Sequence, residues 1–181
     1  MKQNLTFYGM TPSIDNITFL DYPEPTGHAV TVYFTGCSNG CHNCHNPQLQ
    51  QGGKVYDQLY YDEFLARLKE VLRRASTNRV VLMGGDPLFE QNREFTKYLI
   101  EQNCKDIRFC VYTGYDWLEA KNWTKGARYI KTGRYDETKK QVSEKTSDYM
   151  QFASSNQELY KQFIGDEYMK ISNEGRVNFN D

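Results

Sequence analysis

Three cysteines stand within eight residues, in the order Cys37-Ser-Asn-Gly-Cys41-His-Asn-Cys44. Thiolates are soft donors that select iron–sulfur clusters, zinc or copper(I), and a loop this short can turn all three toward one centre. Three thiolates on a four-iron cluster leave one iron without a protein ligand, open to a small molecule that chelates through nitrogen and oxygen. Alternatively, His42 or His45 completes a three-cysteine, one-histidine set around a structural zinc ion, as in a non-catalytic interaction module. The chain carries 5 cysteines, an odd number, and the crowding of three of them is a poor arrangement for a disulfide framework. Ligation is the better use of them. Cys104 and Cys110 stand apart and read as small buried hydrophobes. His28 and His42 read as satisfied surface or strand-end histidines and are left out of the catalytic set.

The elements that position this loop are legible as apolar runs. Residues 28–36, HAVTVYFTG, are dense in β-branched and aromatic side chains and close on Gly36. They predict a buried strand that delivers the cysteines from its C-terminal end, the edge at which α/β sheets bind ligands. From Asp62 to Arg74, Phe64, Leu65, Leu68, Val71 and Leu72 form the stripe of an amphipathic helix. Acidic residues open it and Arg73 and Arg74 end it, as the helix dipole favours. The run RVVLM at 79–83 predicts a strand that enters a turn at Gly84, Gly85, Asp86 and Pro87. A second helix is expected over 89–102 with Phe95, Tyr98 and Leu99 inward, then a strand over 106–114, a short helix over 117–121 and a fourth strand over 127–131.

Strands alternating with helices predict an α/β fold with a mainly parallel, curved sheet and right-handed crossovers. A complete eight-fold barrel takes about 250 residues, so an open, partial (β/α) barrel is expected. After Gly133 the chain is polar and weakly periodic and is expected to wrap the domain as loops and short elements, with 1–181 as one domain. The tyrosines at 56–61 serve packing or a partner surface, and the sequence leaves both open.

Lysine and arginine number 22 against 23 acidic residues, a net charge of −1 that supplies no basic field for nucleic acid or an anionic membrane. No apolar run approaches the ~20 residues that span a bilayer, and the polar start MKQNLTFYGM lacks the apolar stretch of a signal peptide. A cytoplasmic protein is expected. With 14 Tyr and 10 Phe, aromatic rings are expected to supply much of the buried area.

The cysteine spacing after one strand, with Gly84-Gly85-Asp86-Pro87 after the next, resembles the radical S-adenosylmethionine enzymes. The likeness narrows at Thr35-Gly-Cys37 leading into Cys44-His-Asn46, and at Met83-Gly-Gly-Asp-Pro-Leu88 followed by Gln91-Asn-Arg93. It continues through Thr113-Gly-Tyr115, Lys131-Thr-Gly-Arg-Tyr135 and Phe152-Ala-Ser-Ser-Asn-Gln157. Over residues 18–157 these stretches are similar to the activating proteins of anaerobic ribonucleoside-triphosphate reductases.

The resemblance implies a 4Fe-4S cluster on Cys37, Cys41 and Cys44, with the open iron bound by the methionine amine and carboxylate of S-adenosylmethionine. It places Gly84, Gly85 and Asp86 at the amino-acid end of that cofactor and Asn43 and His45 near its adenine. Glycines admit close backbone approach, and carbonyls or a carboxylate suit an ammonium group. The implied activity is reductive cleavage to a 5′-deoxyadenosyl radical, which takes hydrogen from a glycine of the reductase large subunit. A flavodoxin-like or ferredoxin-like protein would supply the electron. The alternative within the class is an activase of another glycyl-radical enzyme, or another small radical S-adenosylmethionine enzyme. Three departures stand out: the segment Pro23 to His28 in place of a glycine-rich turn with an arginine, Asn43 before the third cysteine, and Glu158 where an arginine is usual.

Overall fold

The computed structural model describes residues 17–18, 21–25, 28–51 and 58–180. The stretch MKQNLTFYGM, Tyr56, the Tyr60 side chain and residues 26–27 therefore lie outside the described residues. The first half of the chain runs β1 (Ile17–Thr18), β2 (Ala29–Phe34), α1 (Gln58–Arg74), β3 (Arg79–Gly84), α2 (Arg93–Asn103), β4 (Arg108–Tyr112), α3 (Trp117–Ala120) and β5 (Tyr129–Thr132). Five short strands follow: β6 (Glu144–Lys145), β7 (Tyr149–Gln151), β8 (Glu158–Gln162), β9 (Tyr168–Lys170) and β10 (Arg176–Asn178).

The parallel centre of the main sheet is β2-β3-β4-β5, in sequence order. The first three of these strands read as nearly unbroken apolar runs because both of their faces are covered. On one face Val32, Phe34, Leu82, Val111 and Ile130 pack against Phe64 and Leu68 of α1 and Phe95 and Leu99 of α2. The Phe95 ring meets Phe64 edge-on at 5.1 Å. On the other face Val81, Cys110 and Tyr129 pack against Met150, Phe152 and Val177. Those last residues belong to, or directly follow, strands of a second, three-stranded sheet ordered β10-β7-β6. The main sheet is open, with antiparallel β1 at one edge and the antiparallel pair β8-β9 at the other.

Several boundaries differ from the sequence reading, each for a physical reason. α1 begins at Gln58, so Asp62 and Glu63 sit in its second turn and no acidic residue opens it. The added turn carries Tyr61, whose ring stacks near Phe95 at 4.6 Å. α2 begins at Arg93 instead of Phe89. Residues 86–92 are used as turns, with the Phe89 N–H on the Asp86 carbonyl and the Asn92 N–H on the Phe89 carbonyl. The polar tail consists, as expected, of loops and short elements, and these are strands with fixed partners: β8 continues the main sheet against β5, with Lys131 opposite Leu159, and β6, β7 and β10 form the second sheet. Cys104 caps the C-terminal end of α2 and is exposed, contrary to the expected burial, whereas Cys110 in β4 is fully buried.

Register brings the C-terminal ends of the four parallel strands into line, with Phe34 opposite Gly84, Leu82 opposite Val111 and Tyr112 opposite Lys131. At the opposite edge the neighbouring cations Arg79 and Arg108 share one carboxylate, Glu24, at 2.6 and 3.3 Å. One end of the sheet is thereby clamped, and the other carries a row of four glycine-containing turns.

Candidate metal centre and its cavity

The cysteine loop leaves β2 through Thr35 and Gly36, the latter at φ 90°. Its base is closed by two backbone hydrogen bonds, Gly36 N–H to the Leu49 carbonyl at 2.7 Å and Cys37 N–H to the Gln50 carbonyl at 3.1 Å. Leu49, in the 3-10 turn Pro47–Leu49, is only 2% exposed and anchors the returning chain in the core. The apex between the cysteines needs two left-handed residues, Gly40 at φ 54° and Asn43 at φ 52°. Asparagine tolerates that conformation better than most side chains, which accounts for Asn43 ahead of the third cysteine.

The Gly84-Gly85 turn is built onto this loop. Gly85 N–H donates to the Phe34 carbonyl at 2.7 Å and Asp86 N–H to the Gly36 carbonyl at 2.9 Å, so the β2-β3 pairing runs on into the turn. A Cβ on Gly84 would stand 2.7 Å from the Phe34 backbone, and one on Gly85 would stand 2.6 Å from the Gly36 carbonyl oxygen. Both glycines are required by close backbone approach. Asn92 adds a side-chain tie, its amide donating to the carbonyls of Thr35 and Asp86 at 2.8 and 2.9 Å.

A cavity of about 900 Å³ opens above these turns. Cys37, Cys41 and Cys44 form one wall together with Asn43 and His45, and Gly84 and Gly85 form the adjoining one. Seven of the eight residues named from the sequence thus line one space. Asp86 does not: it is 1% exposed and lies beneath the cavity, bound to protein donors. His42 and Thr113-Gly114 also line the cavity, while Glu158 pairs with Lys170 on the neighbouring strand. His28 lies elsewhere, its Nε2 on the Ala75 carbonyl at 2.6 Å.

Two functional candidates were not among the site residues read from the sequence. Asn39 donates its backbone N–H to Cys37 Sγ at 3.5 Å and its side-chain amide to Asp86. Lys131, at the end of β5, is 8% exposed and lines the cavity. Its ammonium donates to the Gly133 carbonyl at 3.3 Å and lies 5.8 and 5.7 Å from the Tyr112 and Phe152 ring centroids. A lysine inside the otherwise apolar run Tyr129-Ile130-Lys131 was the available signal for it.

Burial pushes the Cys37 thiol above its ordinary pKa, and the Asn39 N–H opposes that shift. Burial pushes Lys131 down to about 8, against the pull of Asp86 and Cys41. Because the folded value lies below the unfolded one of 10.5, the unfolded chain binds more protons in between, and stability rises with pH across that window. Relative to Lys131→Met, the metal-free parent is expected to gain about 2 kcal/mol of unfolding free energy between pH ~8 and ~10, measured by urea titration. Equal pH slopes for the two proteins would show that Lys131 titrates normally.

The donor set suits an iron–sulfur cluster: three thiols on one loop, an N–H directed at one sulfur, and free space beside them. Among the described residues no three Cys, His, Asp or Glu side chains, the three loop cysteines included, are drawn together into a metal-holding group.

The open α/β sheet with its cysteine loop matches, over residues 24–160, the family described as a 4Fe-4S single cluster domain, and the chain belongs to that family. A particular relative is the anaerobic ribonucleoside-triphosphate reductase-activating protein of Enterobacteria phage T4. It is 28% identical over 110 residues, which cover 59% of this chain and 69% of the phage protein. No solved structure matches the chain. Among the described residues no helix is long and apolar enough to cross a membrane.

Proposed function

We propose that this protein activates an anaerobic ribonucleoside-triphosphate reductase by reductive cleavage of S-adenosylmethionine at a 4Fe-4S cluster on Cys37, Cys41 and Cys44. The observation that carries the reading is one cavity in which the three cysteines adjoin the Gly84-Gly85 turn of the next parallel strand. Family membership supports the cluster, and the printed name of the phage relative supports the target.

Cys37, Cys41 and Cys44 would hold the cluster, whose chemistry would be delivery of one electron to the sulfonium, so that the carbon–sulfur bond breaks to methionine and a 5′-deoxyadenosyl radical. The chain's own residues bind, orient and shield. Gly84 and Gly85 present backbone that no Cβ obstructs to the methionine end, and the buried Lys131 ammonium offers the charge a carboxylate needs. Asn43 and His45, on the same wall as the thiols, are assigned to the adenine. The second sheet covers the far side through Met150 and Phe152, which keeps water and stray hydrogen donors from a primary-carbon radical.

On this reading β2 to β5 with their helices are a partial barrel of the radical S-adenosylmethionine type. The electron comes from a flavodoxin-like or ferredoxin-like donor, and the reducing cytoplasm suits an oxygen-sensitive cluster.

The test is to mix the anaerobically reconstituted, reduced protein with S-adenosylmethionine and a purified anaerobic ribonucleoside-triphosphate reductase. The expected result is 5′-deoxyadenosine together with a stable organic radical on the reductase. 5′-Deoxyadenosine without a radical on the reductase would move the target to another glycyl-radical enzyme, and absence of both would end the reading.

A further inference from the structure

The Asp86 carboxylate receives four hydrogen bonds from three separate segments. Oδ1 accepts from the Leu88 N–H at 2.8 Å and the Thr113 hydroxyl at 2.8 Å; Oδ2 accepts from the Asn39 amide at 2.7 Å and the Gly114 N–H at 2.9 Å. All four partners donate, which is the pattern that suits an ionised carboxylate with every lone-pair direction used. A charge this buried is retained only where such bonds compensate it.

Asn39 interlocks with the same group. A Cβ on Gly114 would lie 2.2 Å from the Asn39 amide nitrogen, so the missing side chain of Gly114 is the seat in which that amide rests. From there Asn39 reaches down to Asp86 with its side chain, while its backbone N–H points at Cys37 Sγ. Asp86 thus joins the cysteine loop after β2, the glycine turn after β3 and the Thr113-Gly114 turn after β4.

We infer that Asp86 is a positioning residue that latches these three turns through Asn39, Leu88, Thr113 and Gly114, holding the cysteine wall against the glycine wall. It therefore takes no direct part in binding the cofactor's ammonium group, the role that resemblance implies for it. The service to a cluster rests on the proposed function; the latch itself does not.

Hydrogen–deuterium exchange on the metal-free protein tests the latch without any cluster. Asp86→Asn replaces two accepting oxygens with one and turns an NH2 toward the remaining donors. It is expected to speed exchange on the order of tenfold at Leu88, Gly114 and residues 37–46, with β3 and β4 unchanged. Asn39→Ala is expected to release residues 37–46 alone, leaving the Leu88 amide protected. If Asn39→Ala leaves the cysteine loop exchanging as in the parent, the latch is overturned; that variant decides the matter alone should Asp86→Asn fail to fold.

After reconstitution, a chelator is expected to strip iron from Asn39→Ala on the order of tenfold faster than from the parent. Equal stripping rates would refute the link to the cluster. A parent that takes up no iron and sulfide is a failure of the proposed function, and the exchange result then judges the latch by itself.

Discussion

Cys41→Ala is expected to leave a folded protein that retains no iron–sulfur cluster and yields no 5′-deoxyadenosine. Cys41 sits at the loop apex, half-exposed, beside the left-handed Gly40 and outside both hydrophobic clusters, so its loss removes no packing. What it removes is one of three thiolates, and a cluster carried by two is not held. Cys104→Ala is the matched control, since that thiol is exposed at the end of α2 and does not line the cavity. Iron and acid-labile sulfide per chain after anaerobic reconstitution provide the readout. Equal loss in the two variants would overturn the ligand assignment.

The second large effect is steric. In Gly85→Ala the new Cβ would stand 2.6 Å from the Gly36 carbonyl oxygen and 2.7 Å from that of Leu49. Both obstacles are backbone: the Leu49 carbonyl accepts the Gly36 N–H that closes the cysteine loop, and the Gly36 carbonyl accepts the Asp86 N–H that ties the turn to it. Neither can yield without breaking the Gly36–Leu49 or Asp86–Gly36 bond. The expected cost is about 3 kcal/mol of unfolding free energy, with a cysteine loop that no longer meets the turn. Gly40→Ala provides the contrast: its φ of 54° strains an alanine, but nothing lies within 4 Å of its Cβ, so only about 1 kcal/mol is lost. Urea unfolding of the pair distinguishes them, and midpoints that coincide would show that the two turns are not clamped together.

The parts of the fold that were legible in the sequence are those with a strong local signature. The runs that became β2, β3 and β4 are mostly apolar on both faces, and the stripe from Phe64 to Leu72 has a helix period, so each announces itself without its neighbours. The three cysteines and the two glycines were legible as residue types with few other uses. Seven of the eight residues named from sequence meet at one cavity because register, not proximity along the chain, aligns the ends of β2 and β3.

What was not legible depends on distant partners. Asp86 reads as a cofactor contact in the sequence, and its four donors, three of them at residues 39, 113 and 114, are visible only in the fold. Asn39 carries no signal of its own within Cys37-Ser-Asn-Gly-Cys41. The strands after Gly133 are short and half-covered, so their burial alternates weakly and their pairing with β5 or with one another is fixed only by the tertiary structure. Burial of Lys131 is of the same kind: a strand-end lysine is usually solvated, and only the Phe152 and Tyr112 rings make it a desolvated cation facing a cavity.

The most direct test of the central claim is electron paramagnetic resonance of the anaerobically reconstituted and reduced protein, recorded with and without S-adenosylmethionine. The account predicts a reduced-cluster signal that shifts on addition of S-adenosylmethionine and disappears in Cys41→Ala. Stoichiometric zinc with no cluster signal, or a cluster signal indifferent to S-adenosylmethionine, would contradict it.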